Sequence, residues 1–467
     1  MSKHYIRIPL FAAALISLCL TTVGQAFAGK LPQRQQTKQM IEGLYSENLE
    51  AASYFQQGLT RYNRSDFQGA EQAFRKALQF DPFIAMAHYL LGNSLFQQGK
   101  PQLAAEQYRF ALGLDPNMAE ARYNLGLVLY QQGNTEGAIN AYQQALSLNP
   151  DLASARYNLG LAYETQGRTQ DALAQYQEAV RLNPNFARAQ YNLGLLLARQ
   201  NQTEPAIVAL RQAVSSDPNL IQAHYQLGLL LAQQGQAQEA ETALRAATKL
   251  DPKFSEAQYQ LGLAFAEQGK YEEARDRFRW VTTLEPNNVE AHRQLGATLI
   301  ETGQYEEAAI ALRSAISMAS NDAQTYYNLG VALQRGQKYE DAISQYQEAI
   351  RLNPRLADAF YNLGVALEQS QRRNEALSFL QEARNLYTQA GNLQKLDEVD
   401  QYVQRLSVPS TPTTLPATTP SRVQPRQAPA TQSPAAQPAV PRLVQPTRLP
   451  AAQPQRTDSP RFGGTRD

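Results

Sequence analysis

A glycine returns every 34 residues without insertion or deletion, from Gly58 through Gly92, Gly126, Gly160, Gly194, Gly228, Gly262, Gly296 and Gly330 to Gly364. Twelve residues after each stands an alanine, from Ala70 to Ala376, and Pro82, Pro116, Pro150, Pro184, Pro218, Pro252, Pro286 and Pro354 close eight of the ten units. Such a period calls for one supersecondary unit that is repeated and stacked on its own copies. In the third unit Tyr123, Gly126, Leu127 and Tyr130 recur at i, i+3, i+4 and i+7, which is one face of a helix. Gly133-Asn134 interrupts it, and Ala138, Tyr142 and Ala145 mark the face of a second helix. Glycine inside a helix costs about 1 kcal/mol relative to alanine. Its return ten times implies a larger packing gain: small residues let two backbones approach while an aromatic ring fills the gap. Asn149-Pro150 ends the unit, because the residue before proline is pushed out of the helical region, and the proline is expected to start the next helix.

The fragments Tyr123-Asn124-Leu125-Gly126, Tyr157-Asn158-Leu159-Gly160 and Tyr191-Asn192-Leu193-Gly194, set in this register, resemble the tetratricopeptide repeat family. The resemblance covers residues 51–390 as ten repeats. It implies an all-α fold, a right-handed α-solenoid superhelix of 34-residue helical hairpins, and a role in protein binding. Departures are local. Repeat 1 has Gln57 before its glycine, repeat 8 has Arg293 for tyrosine and Ser320 for proline, and repeat 10 ends at Thr388. The end repeats lack a neighbour, which accounts for their irregularity; the internal eighth repeat marks a candidate change in curvature or ligand preference.

Composition separates a body from a tail. Of 25 prolines, 13 fall after Ser407, where seven arginines face only Asp458 and Asp467 for a net charge of +5. Residues 407–467 are therefore expected to be disordered, as a passive spacer or as a tether to an anionic envelope polymer or membrane surface. Residues 29–406 carry −6, and the whole chain +1, with no basic stripe of the kind that binds nucleic acid. At the other end, Lys3 and Arg7, the apolar run Ile8 to Leu20 and Ala26-Phe27-Ala28 read as a signal peptide over residues 1–28. This predicts export to the periplasm, the cell envelope or beyond, the alternative being an uncleaved N-terminal anchor. Residues 29–50 form an N-terminal segment whose Met40, Ile41, Leu44 and Leu49 suit a capping helix. Residues 391–406, with Leu393, Leu396, Val399, Val403 and Leu406 on one face, suit a C-terminal cap.

In the family the first helix of each repeat lines a concave groove, with the second, fifth, sixth, ninth, twelfth and thirteenth residues facing or bordering it. Counted from Ala51, the sixth position holds Gln56, Leu90, Asn124, Asn158, Asn192, Gln226, Gln260, Gln294, Asn328 and Asn362. A carboxamide has two donors and an acceptor, so this row suits either an extended peptide backbone or packing between repeats. The fifth position gives Tyr89, Tyr123, Tyr157, Tyr191, Tyr225 and Tyr259, and the ninth gives Leu127, Leu161, Leu195, Leu229 and Leu263. These leucines form an apolar interaction stripe or are covered by the next repeat.

Chemistry is sparse. A single cysteine, Cys19, lies in the signal, and His88, His224 and His292 share one repeat position too far apart to meet at one metal. Trp280 reads as packing, and Glu272-Glu273 and Glu306-Glu307 as solvated faces. Only a cap and a Pro-rich tail follow the repeats, which leaves no room for a catalytic domain. No metal, cofactor or catalytic residue is expected. The expected function is a non-catalytic scaffold that holds a peptide or partner helix during envelope complex assembly. The alternatives are an envelope-tethered spacer or an accessory subunit of an envelope enzyme.

Overall fold

The computed structural model describes residues 48–407. The signal-like segment, most of the N-terminal segment with its proposed cap, and the tail beyond Ser407 lie outside the described residues. Among the described residues 21 α-helices follow one another with no strand, in two compact units that divide between Pro218 and Asn219. The first unit holds α1 (Leu49–Asn63), α2 (Phe67–Phe80), α3 (Ala85–Gln97), α4 (Pro101–Leu114), α5 (Ala119–Gln131), α6 (Thr135–Leu148), α7 (Ala153–Thr165), α8 (Thr169–Leu182), α9 (Ala187–Arg199) and α10 (Thr203–Ser216). The second holds α11 (Ile221–Gln233), α12 (Ala237–Leu250), α13 (Ser255–Glu267), α14 (Tyr271–Leu284), α15 (Val289–Glu301), α16 (Tyr305–Met318), α17 (Ala323–Arg335), α18 (Tyr339–Leu352), α19 (Ala357–Gln369), α20 (Arg373–Gln389) and α21 (Leu393–Ser407). Within each unit every helix packs on the one before and the one after, as in a solenoid of tetratricopeptide hairpins. Within each unit some odd-numbered helices also touch the next odd-numbered one, as α5 does α7 and α15 does α17.

The recurring glycine has a direct steric cause. A Cβ added to Gly126 would lie 2.5 Å from Cε1 of Tyr142, whose ring is fully buried on the facing helix. Gly58, Gly92, Gly160, Gly262 and Gly330 meet Phe74, Tyr108, Tyr176, Phe278 and Tyr346 in the same way, and the remaining four meet a leucine. The alanine twelve residues on is 0% exposed in all ten repeats, from Ala70 to Ala376, which brings the two helices of a hairpin together. The turn between them runs through positive φ, at glycine in most repeats (Gly133, +79°) and at Ser65, Asn201, Gln337 and Gln371 in the others.

Proline sits differently from the sequence expectation. Pro150 does not begin a helix: it lies in the turn, and α7 starts at Ala153. Asn149 closes α6 and its Oδ1 accepts from the amide of Asp151 at 3.2 Å, the same bond that Asp115 makes to Asn117 and Asp251 to Lys253. Proline's fixed φ suits this turn, and its carbonyl receives a side chain from the fourth residue of the next helix. Arg122 donates to Pro116 O, Gln258 to Pro252 O, and His88 and His292 bond to Pro82 O and Pro286 O.

Charged clasps join consecutive hairpins. The Glu241 carboxylate, 7% exposed, receives Lys270 Nζ (2.7 Å), Gln268 Nε2 (3.0 Å) and Arg245 Nε (2.8 Å). Glu71 is held identically by Lys100, Gln98 and Arg75. Burial opposes ionisation of both, but the hydrogen bonds outweigh it and hold each carboxyl below the usual range. At the far end α21 covers the last hairpin, burying Val399, Tyr402 and Leu406 against Tyr361, Leu380, Ala383 and Tyr387. No described helix is long and apolar enough to cross a membrane.

Candidate functional site

With 3.6 residues per turn, the second, sixth, ninth and thirteenth residues of each first helix fall within about 60° of arc. On α7 these are Ser154, Asn158, Leu161 and Thr165. The fifth residue flanks that stripe and turns toward the second helix. Tyr89 packs on Tyr108, Tyr123 on Tyr142 and Tyr157 on Tyr176, with ring centroids 5.8–6.1 Å apart. Phe186 also packs on Tyr157, and Phe254 on Tyr225, with ring centroids 4.9 and 4.8 Å apart. The tyrosines thus present an edge rather than a face. Tyr123, Tyr157, Tyr191, Tyr225 and Tyr259 are half-buried. Burial pushes the hydroxyls of Tyr89, Tyr123, Tyr157 and Tyr225 up to about 12, so they stay protonated and act as both donor and acceptor.

In the first unit the asparagines use these hydroxyls. Asn124 Nδ2 donates to Tyr89 of the preceding repeat (3.4 Å), Asn158 to Tyr123 (3.0 Å) and Asn192 to Tyr157 (3.4 Å). Asn158 also donates to Ser154 O at 2.8 Å, so both amide hydrogens are engaged and its Oδ1 is the atom left to bond a ligand. The row therefore works first as a lateral lock between repeats. At Asn158 it offers an acceptor, suited to the N–H groups of a peptide. Tyr89, Asn124, Asn328 and Asn362 are only 7%, 7%, 8% and 3% exposed, and serve the face by holding its other residues in place.

The leucines are neither core nor free surface. Leu127, Leu161, Leu195, Leu229 and Leu263 are all half-buried, and Leu263 rests on the core of its unit. Asn93 takes this place in α3 and is buried, accepting from Tyr108 Oη and Asn124 Nδ2, both at 2.8 Å.

The second unit builds the lock less regularly. Gln226, Gln260 and Gln294 stand at the sixth position and are half-buried. Gln294 donates to Glu290 at 3.0 Å. At the eighth repeat Arg293 replaces tyrosine, bonds Glu290 (3.2 Å) and lies 3.5 Å from Asp322. Asn328, deprived of a hydroxyl, accepts instead from Gln324 at 2.9 Å. The Asn-to-Tyr bond returns at Asn362, which donates to Tyr327 (2.9 Å). Tyr327 and Tyr361 are fifth-position tyrosines left out of the sequence selection although the same period marks them; both are buried.

The hydroxyl of Tyr142 stands apart from those of its counterparts. Tyr176 and Tyr346 donate to Glu164 (2.5 Å) and Gln334 (2.7 Å), twelfth residues of their first helices. In α5 that place is Tyr130, which pairs with Thr165 at 2.8 Å, and the buried Tyr142 hydroxyl is left unbonded. No group of three or more His, Cys, Asp or Glu among the described residues could hold a metal ion.

Stacked helical hairpins with a polar-apolar stripe on their first helices define a helical-repeat solenoid. The chain belongs to the tetratricopeptide repeat family. Family profiles match as TPR repeat over 92–133 and 335–371, as tetratricopeptide repeat over 358–390, and as the cilia and flagella-associated protein 70 C-terminal domain over 117–329. No curated protein is a significant sequence match. Among solved structures, MamA is 30% identical, covering 34% of this chain and 94% of its own at a TM-score of 0.33. PilF of Pseudomonas aeruginosa is 26% identical, with 44% and 92% covered at 0.41. YrrB, described as a TPR protein with an unusual peptide-binding site, is 23% identical, with 42% and 98% covered at 0.38.

Proposed function

We propose that this protein is a non-catalytic scaffold of the cell envelope that holds an extended peptide or a partner helix along its first-helix faces. Family membership supports the protein-binding role. The observation that carries the site is the half-buried row Leu127, Leu161 and Leu195, flanked by tyrosine edges and locked by Asn124, Asn158 and Asn192. Apolar area left partly in water gives a partner something to cover, at about 25 cal/mol per Å². Locked neighbours mean little side-chain entropy is lost when it does. The export reading rests on residues 1–28 alone and places partners outside the cytoplasm.

Replacing Leu127, Leu161 and Leu195 together by Ser tests the site. Capture of partners by cross-linking in the native envelope fraction should fall at least about tenfold, the effect of removing roughly 1.4 kcal/mol of binding. Helical circular dichroism should persist. Unchanged capture, or collapse of the helical signal, would return these leucines to a structural role.

A further inference from the structure

Two neighbouring first helices of the second unit end their stripes in acid. In α13 the second and thirteenth residues are Glu256 and Glu267, and in α15 they are Glu290 and Glu301. Each helix therefore carries a carboxylate at both ends of the stripe, with Leu263 and Tyr259 beside it on α13. Glu256 lies next to Tyr225 and Glu290 next to Tyr259. Glu256 and Glu301 are exposed and make no ion pair or hydrogen bond among the described residues; Arg335 of the next repeat acts on Glu301 electrostatically, and Glu290 is paired with Arg293. A carboxylate beside a tyrosine edge suits a guanidinium, which pairs with the first and packs on the second.

This chain has its own supply of guanidinium groups. Seven arginines and no lysine follow Ser407, and α21, to which that segment is joined, belongs to the same unit. Two hairpins and the cap separate α15 from Ser407, about 30 Å at 8–10 Å per packed helix layer. Any random coil of 35 residues, the number from Ser407 to Arg442, would span about 5–6 Å times the square root of its length, roughly 30–35 Å. Arg442 and Arg448 stand six residues apart. At about 3.1 Å per residue in a proline-rich extended chain this is about 19 Å, on the order of two repeats.

We infer that the arginine-bearing tail, through Arg442 and Arg448, docks in cis on the acidic tyrosine-leucine stripe of α13 and α15 and screens it from outside partners. The inference rests on the reading of the first-helix faces as peptide sites, and makes the second unit's site self-occupied. Tethering supplies the tail at an effective concentration of order 1 mM, so a contact of about 0.1 mM affinity is mostly closed yet opens to a stronger competitor.

The test uses the full chain and a fluorescent synthetic peptide of residues 438–467. Against native protein the peptide competes with the resident tail and binds weakly. Changing all seven tail arginines to Ala should tighten its binding about tenfold, and adding Glu256→Gln, Glu267→Gln and Glu301→Gln to that chain should abolish it, with helical circular dichroism intact. Binding of both tails' chains should weaken as salt rises. Equal peptide affinity for native and arginine-free chains overturns the proposal, as does tight binding that survives the three Gln changes. A native dimer that the arginine-free chain lacks overturns it in favour of a second copy. Failure here, with capture still lost in the Leu127/Leu161/Leu195 variant, removes the tail and leaves the scaffold reading standing.

Discussion

The first-helix stripes of the two units are built on one plan and finished differently. In the first unit three consecutive joints carry an asparagine bonded to the tyrosine of the repeat before, and the stripe residues run from Glu120 through Ser154 to Arg188 with no single sign. In the second unit glutamines replace asparagines at three of five joints, Arg293 interrupts the tyrosines, and α13 and α15 carry carboxylates at both ends. The comparison shows that the repeat keeps two separate sets of residues. Glycine and alanine hold each hairpin without variation, and the residue across from glycine is always a large buried side chain, a ring in six hairpins and a leucine in four. The stripe is released from that duty, and its charge and hydrogen bonding can change without disturbing the stack.

The hairpin interior offers the largest contrast between one repeat and another, since rings and leucines face the glycine in both units. Gly126→Ala would drive a Cβ into the rigid, enclosed Tyr142 ring, whereas Gly228→Ala would meet Leu244 Cγ at 2.6 Å. A leucine can change rotamer and a ring held on all sides cannot. Overpacking should cost the first variant about 2–3 kcal/mol in urea unfolding and the second about 1 kcal/mol. Equal losses would show that the rings move as readily as leucine.

The clasps should respond to acid in both units. Glu241→Gln removes a carboxylate with three charge-assisted or amide bonds and should lose about 1–2 kcal/mol at pH 7. Because the folded carboxyl titrates below its unfolded value, its stabilisation is complete above the unfolded pKa and is lost as pH falls through the folded one. The gap between variant and native protein should therefore narrow below about pH 4, and a gap independent of pH would assign the loss to packing alone.

Restoring regularity should give the smallest effect. Arg293→Tyr places a hydroxyl 35 residues before Asn328, the separation that bonds Asn362 to Tyr327. It should stabilise the second unit by up to about 1 kcal/mol, one buried hydrogen bond less two partly exposed ion pairs. Destabilisation would mean that Glu290 and Asp322 need Arg293 more than Asn328 needs a tyrosine.

Much of this architecture was legible in the residue order. The helical hairpins, their register, the buried alanines and the glycine-to-ring contact all follow from local spacing, which a periodic sequence displays directly. The role of proline was misread. Its preference for the start of a helix is a general tendency, whereas here Asn149 and its counterparts bind the amide two residues on and draw proline into the turn. The candidate site was legible as positions but not as states. Tyr327 and Tyr361 shared the tyrosine position and went unselected, and Asn93 gave no sign that it would join a buried network.

By itself the order of residues determined that this chain stacks helical pairs and which side chains share a face, because both depend on a periodicity of a few residues. Only the packed hairpins decided which amide hydrogens are already bonded, which leucines stay half in water, and which carboxylates lack a partner. Each of those outcomes depends on a neighbour about 35 residues away, and its distance and angle are set by how one hairpin rests on the next.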